Sequence, residues 1–82
     1  MVKVLFFARY REQLGCEEEL YSLQGEQTAS DLLGSLMARG EPWKTVLSDA
    51  RVMVAINQQM VDLSSDIMDA EEVAFFPPVT GG

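Results

Sequence analysis

The sequence predicts an α+β domain in which a mixed β-sheet is covered on one face by a single main helix. Three observations carry this expectation. Short runs rich in β-branched and aromatic residues recur at the start, middle and end of the chain, over residues 2–8, 52–56 and 72–76. One run places Leu32, Leu33, Leu36 and Met37 at helical spacing, which makes an apolar stripe for packing on a sheet. The 82 residues are 48% hydrophobic and contain no low-complexity stretch, which suits one core and one domain over residues 1–76.

In residues 2–8, alternation sets Val2, Val4, Phe6 and Ala8 on one face and Lys3, Leu5 and Phe7 on the other. Apart from Lys3 both faces are apolar, the pattern of a strand inside a sheet. Residues 9–15 are expected to form a connection closed by Gly15, and residues 18–23, where Leu20 alternates with Glu19 and Tyr21, a second strand in a long-looped hairpin. Thr28 has N-cap chemistry, Asp31 suits the helix N-terminus, and Gly40 before Pro42 is a stop, so the helix is expected over residues 29–39. Gly34 inside it costs roughly 1 kcal/mol relative to alanine, a cost that close packing is expected to offset. Pro42 opens a short helical segment carrying Trp43, Val46 and Leu47 to the end of the core. Residues 48–51 read as a turn, 52–56 as a strand, Asn57-Gln58 as a tight turn and 59–61 as a return strand. A loop over residues 62–70, anchored by Leu63, Ile67 and Met68, leads to the last strand over residues 72–76.

One helix covers only one sheet face. Leu5, Phe7, Ala74 and Phe76 lie opposite Val4, Phe6, Val73 and Phe75, so apolar surface is left over. Either loops fold across it or a partner protein does, and contiguous exposed apolar surface favours the partner. A net charge of −7 with six scattered Lys and Arg argues against nucleic acid and against an anionic membrane surface, and suits basic protein partners. One cysteine and no histidine exclude an internal disulfide, a cysteine-based metal cluster and a histidine base, so no metal or bound cofactor is expected. Cys16 is the competing sulfur site, since a thiol can carry sulfur as a persulfide, but the carboxylate of Glu17 beside it disfavours a thiolate, and it reads as structural or incidental. Glu17, Glu18 and Glu19 read as a solvated strand edge, with docking of a basic enzyme as the alternative. Glu71 and Glu72 point to opposite strand faces and make no acid/base dyad. The apolar run over residues 4–8 is too short for a secretory or membrane segment, and a cytoplasmic setting is expected.

The chemistry points to the end of the chain. Pro77 and Pro78 supply no N–H and fix φ, so residues 77–82 should leave the sheet as an extended, flexible tail spanning on the order of 20 Å. A frayed end is the plain alternative. Gly81 and Gly82 lack Cβ and could thread a channel too narrow for side chains. A terminal carboxylate at Gly82 is a poor electrophile and must be activated from outside. Reaction with ATP would give an acyl-adenylate, and attack by sulfur would then leave a thioester or thiocarboxylate.

The run from Glu72 through Phe75, Phe76, Pro77, Pro78, Val79 and Thr80 to Gly81 and Gly82, with the opening Val2–Ala8 stretch and residues 54–58, resembles the small, sulfur-carrier subunits of molybdopterin synthases. Those are ubiquitin-like β-grasp proteins, and the likeness covers essentially the whole chain. The resemblance implies a β-grasp fold and an adenylating, ubiquitin-activating-like enzyme that uses ATP to activate Gly82, on which sulfur is installed as a thiocarboxylate. It implies that Pro77, Pro78, Val79, Thr80 and Gly81 lead Gly82 into a pocket of the large subunit. There, sulfur passes to cyclic pyranopterin monophosphate in two transfers that build the molybdopterin dithiolene, within a pair of large subunits carrying a small subunit at each end. The family's sheet contacts fall on Phe7, Met60 and Phe76. This chain departs from the family at Asp69-Ala70-Glu71, where members commonly carry a glycine, which leaves that turn's geometry open. A thiamine-type sulfur carrier and a ubiquitin-like protein modifier would share the fold and the terminal glycines, and a non-covalent interaction module is the remaining alternative. The spacer from Phe75 to Thr80 resembles the molybdopterin subunit more closely than the thiamine-type carrier.

Overall fold

A computed structural model describes residues 1–78 of the chain. Eight elements follow in order: β1 (Val2–Phe6), α1 (Arg9–Leu14), β2 (Glu18–Tyr21), α2 (Ala29–Met37), α3 (Trp43–Leu47), β3 (Met53–Ile56), β4 (Gln59–Val61) and β5 (Glu72–Phe76). The strands form one sheet in the order β2-β1-β5-β3-β4. β1 and β5 run parallel at its centre, with Val4 opposite Val73 and Phe6 opposite Phe75, while β1–β2, β3–β4 and β3–β5 are antiparallel. This is the expected mixed sheet, in the β-grasp arrangement that the resemblance implies.

Alternation decides which side chains the helices cover. Val2, Val4, Phe6, Val54, Val73 and Phe75 are all at most 1% exposed, and α2 lays Ala29, Leu32, Leu33 and Leu36 over them. Each such large side chain contributes about 1.5–3 kcal/mol by leaving water. Phe6 meets Trp43 edge-on at 5.6 Å between ring centroids and stacks near Phe75 at 6.5 Å. At the start of α2, the Thr28 hydroxyl accepts from the Asp31 N–H at 3.1 Å and the Asp31 carboxylate accepts from the Thr28 N–H at 3.2 Å. This capping box satisfies N–H groups that the first helical turn cannot. The helix ends at Met37, two residues before the expected boundary, and Gly40 at φ 96° closes the turn back to the Met37 carbonyl.

The structure corrects several expectations. Residues 9–15 are not a plain connection: α1 occupies them, burying Tyr10, and Gly15 at φ 67° caps it through a bond to the Arg11 carbonyl. Nothing lies within 4 Å of a Cβ built on Gly34, so close packing is not its purpose. Met68 is 57% exposed and anchors nothing, whereas Ile67 is fully buried and Leu63 packs against the core. Glu19 is not simply solvated, because its two oxygens accept from the Arg39 guanidinium, which also lies 4.6 Å over the Trp43 ring. Among the described non-glycine residues, only Ala8, Asn57 and Gln58 have positive φ, so the turn at Asp69-Ala70-Glu71 has no need of a glycine. The Asn57 side-chain oxygen, just past the end of the neighbouring strand β3, holds that turn by accepting from the N–H groups of Glu71 at 3.0 Å and Glu72 at 3.1 Å.

Candidate functional site

The uncovered sheet face is built by the same alternation that builds the core. Register places Glu18, Leu5, Ala74, Ala55 and Met60 in one row across all five strands, on the face away from α2. Phe76 and Met53 form the adjoining pair. Beyond β1, the Phe7 N–H continues the parallel ladder to the Phe75 carbonyl at 3.2 Å, which holds Phe7 beside β5. The Phe7 and Phe76 rings meet edge to face at 6.3 Å and 78°. Phe7 and Met60 are 45% and 52% exposed, a cost in apolar hydration that the free chain leaves unrelieved.

The centre of this face is low and its margins are high. Ala55 and Ala74 have small side chains and are nearly covered by their neighbours, while Phe7, Phe76, Met53 and Met60 stand around them. Phe7 and Phe76 are brought into contact. Met60 stands two strands from β5, about 10 Å away, on the same face but not against the rings. Met53 and Ala55 were not among the expected face residues, although the burial of Val54 would have pointed to them by alternation. Leu20, 64% exposed on the edge strand β2 and opposite Lys3, extends the apolar surface to the far side.

The strand that carries Phe76 onto this face is the last of the sheet in the sequence. β5 is flanked by β1 and β3, so its end is held on both sides. Pro77 and Pro78 follow, both partly buried, and neither can donate to a neighbouring strand. The chain therefore leaves the sheet at the end where Phe7 and Met53 sit. Val79, Thr80, Gly81 and Gly82, expected to carry and surround the reacting carboxyl, lie outside the described residues. Cys16 packs against the core, and its thiol donates to the Glu18 carbonyl at 3.4 Å, a structural arrangement. Among the described residues, no group of three or more His, Cys, Asp or Glu is placed to hold a metal ion. No described helix is long and apolar enough to cross a membrane.

A family model described as the ThiS family matches residues 4–82. The chain is similar to the molybdopterin synthase sulfur carrier subunit of Escherichia coli, with 39% identity over 82 residues and the whole of both chains covered. Its likeness to the molybdopterin synthase sulfur carrier subunit of Haemophilus influenzae is 40% identity over 85 residues, again with both chains covered throughout. Among solved structures it is similar to a putative molybdopterin converting factor, subunit 1, from Pyrococcus furiosus. That match has a TM-score of 0.74 and 32% identity, over 95% of this chain and 97% of the other.

Proposed function

The chain belongs to the ThiS family, and from that premise we propose that it is the sulfur carrier subunit of a molybdopterin synthase, acting in molybdenum cofactor biosynthesis. The observation that supports this most is the continuity of the apolar face with the exit of the tail: the strand that carries Phe76 onto the face also carries Pro77 and Pro78 off the sheet. In this reading Phe7, Met60 and Phe76 dock the large subunit. Pro77, Pro78, Val79 and Thr80 lead Gly81 and Gly82 into its pocket. A stiff spacer and two residues without side chains suit delivery of a carboxyl group into a narrow channel.

The chemistry needs two outside agents and one group of this chain. A separate adenylating enzyme joins the Gly82 carboxylate to the α-phosphorus of ATP, with loss of pyrophosphate. Hydrosulfide, or a persulfide whose S–S bond a second thiol then cleaves, attacks the acyl carbon. The C–S bond forms, AMP leaves, and a thiocarboxylate remains. In the large subunit's pocket the sulfur attacks an oxygen-bearing carbon of the cyclic pyranopterin monophosphate; the C–S bond forms, the C–O bond at that carbon breaks with its oxygen leaving as water or staying on the opened phosphate, and water then cleaves the acyl–sulfur bond, leaving the sulfur on the substrate and restoring the carboxylate. Two such deliveries supply the dithiolene. The body of the chain binds no cofactor in this scheme and acts as the handle by which two enzymes recognise Gly82. The proposed setting is the cytoplasm, where ATP and reduced sulfur donors coexist.

Intact mass measurement on chain incubated with the activating enzyme, ATP and a sulfur donor tests the reading. One oxygen replaced by sulfur, mapped to the C-terminal peptide and unaffected by Cys16→Ser, is the expected result. Sulfur that maps to Cys16, or isopeptide adducts on lysines in its place, would overturn it.

A further inference from the structure

The open face does not stop at the sheet. At the corner where β3 begins and β4 ends, a groove of about 420 Å³ is lined by Met53 and Met60 from that face together with Val61, Asp62, Leu63 and Ser64. It borders the end of β5, because Met53 is the register partner of Phe76. Met60 is 52% exposed and Met53, Val61 and Leu63 are half-buried, so apolar side chains meet water here. The segment that carries Asp62 and Leu63 is held by its backbone: the Leu63 carbonyl accepts from the Ser30 N–H at 2.8 Å, the Ser65 carbonyl from the Ala29 N–H at 3.0 Å and the Asp62 carbonyl from the Ser65 N–H at 3.0 Å. These bonds tie it to the start of α2 before any partner arrives, which lowers the entropy cost of filling the groove. Asp62 is exposed and, among the described residues, its carboxylate is in no ion pair, although Arg51 stands two residues before Met53.

Apolar lining that ends in an unpaired carboxylate suits a long aliphatic stem with a cationic head. We infer that this groove receives an arginine or lysine side chain of the large subunit, with its stem against Met53, Val61 and Leu63 and its charge at Asp62. The inference deepens the reading that the open face docks that subunit, and rests on it. Its sign agrees with the net charge of −7, which favours a cation in the partner. Apolar attraction follows area and fixes no direction within the plane of contact. A charge pair at one corner does fix it, and this corner adjoins the end of β5, from which Pro77 and Pro78 continue.

Variants of the full chain, titrated calorimetrically into the isolated large subunit, test this. Asp62→Lys sets like charges together and should weaken binding about tenfold or more. Asp62→Asn loses only the pair and should weaken it about two- to fivefold, with the difference shrinking at high salt. Ser64→Trp fills the groove from an exposed position and should weaken binding about tenfold with the urea midpoint near the parent's. Glu41→Lys, in the exposed segment before α3, changes the net charge as much as Asp62→Lys does and should leave affinity within about twofold. Reversal of one arginine or lysine of the large subunit to glutamate should restore binding to Asp62→Lys, which identifies the occupant. The inference is overturned if Asp62→Lys binds like the parent, if Glu41→Lys weakens binding as much, if Ser64→Trp has no effect, or if no reversal restores the pair. Phe76→Ala separates the two readings. If it weakens binding and the groove variants do not, the docking face stands without this contact; if it too binds like the parent, the docking reading fails as well.

Discussion

Glu26 shows how much one carboxylate can be controlled by a small fold. It is only 7% exposed, and burial alone would raise its pKa. The Tyr21 hydroxyl at 2.5 Å, Ser35, and the N–H groups of Gln24, also at 2.5 Å, and Glu26 itself outweigh burial and hold it at about 2. Hydrogen bonds to the charged form are the cause of such lowering. The sign of the consequence follows: a carboxylate whose pKa is lower folded than unfolded adds stability that is present above about pH 4.5 and is lost as pH falls towards 2. Urea titrations from pH 7 to pH 2 should therefore show the midpoint falling through that window. Glu26→Gln should lower the midpoint at pH 7 and flatten the fall. Some slope should persist, because hydrogen bonding to Arg39 also lowers the pKa of Glu19. A glutamine variant with the parental pH profile would show that the Tyr21 and Gln24 contacts do not stabilise the charged form.

Among the elements, β1, α2 and β5 were legible in the sequence, because each repeats its pattern long enough to be distinguished: alternation in the strands, and a capping box with an apolar stripe in the helix. α1 was not. Its six residues make fewer than two turns, too few for a period to show, and Gly15, which caps a helix, reads equally well as the close of a loop. The strand order was also out of reach, since β1 pairs with β5 from the other end of the chain and no local pattern encodes that partner. The open face was legible through Leu5, Phe7 and Phe76. Met60 entered only through family resemblance, because a three-residue strand gives alternation little to work on. Gly34 is the clearest misreading: it was expected to allow close approach, but the space beside it is open and its backbone is helical. Gly34→Ala should accordingly stabilise the chain by about 0.5–1 kcal/mol, seen as a higher urea midpoint with binding to the large subunit unchanged. A loss of stability would mean that the face of α2 is more crowded than it stands here.

For the whole molecule, the proposed function joins the body and the tail in one device. A small acidic domain uses one sheet face for its core and leaves the other apolar, and its central strand joins that second face to the segment that carries Gly82. In the proposed function the face supplies recognition and the tail supplies chemistry. On the proposed function, sulfur on Gly82 is delivered when this face is docked. A single-turnover experiment tests it directly: thiocarboxylated chain is mixed with the large subunit and cyclic pyranopterin monophosphate, and the mass of the C-terminal peptide is followed over time. The peptide should exchange its sulfur for oxygen in step with product formation, only when the large subunit is present, and more slowly with Phe76→Ala at concentrations below saturation. Sulfur that stays on Gly82 while product forms, or that leaves at the same rate without the large subunit, would contradict it.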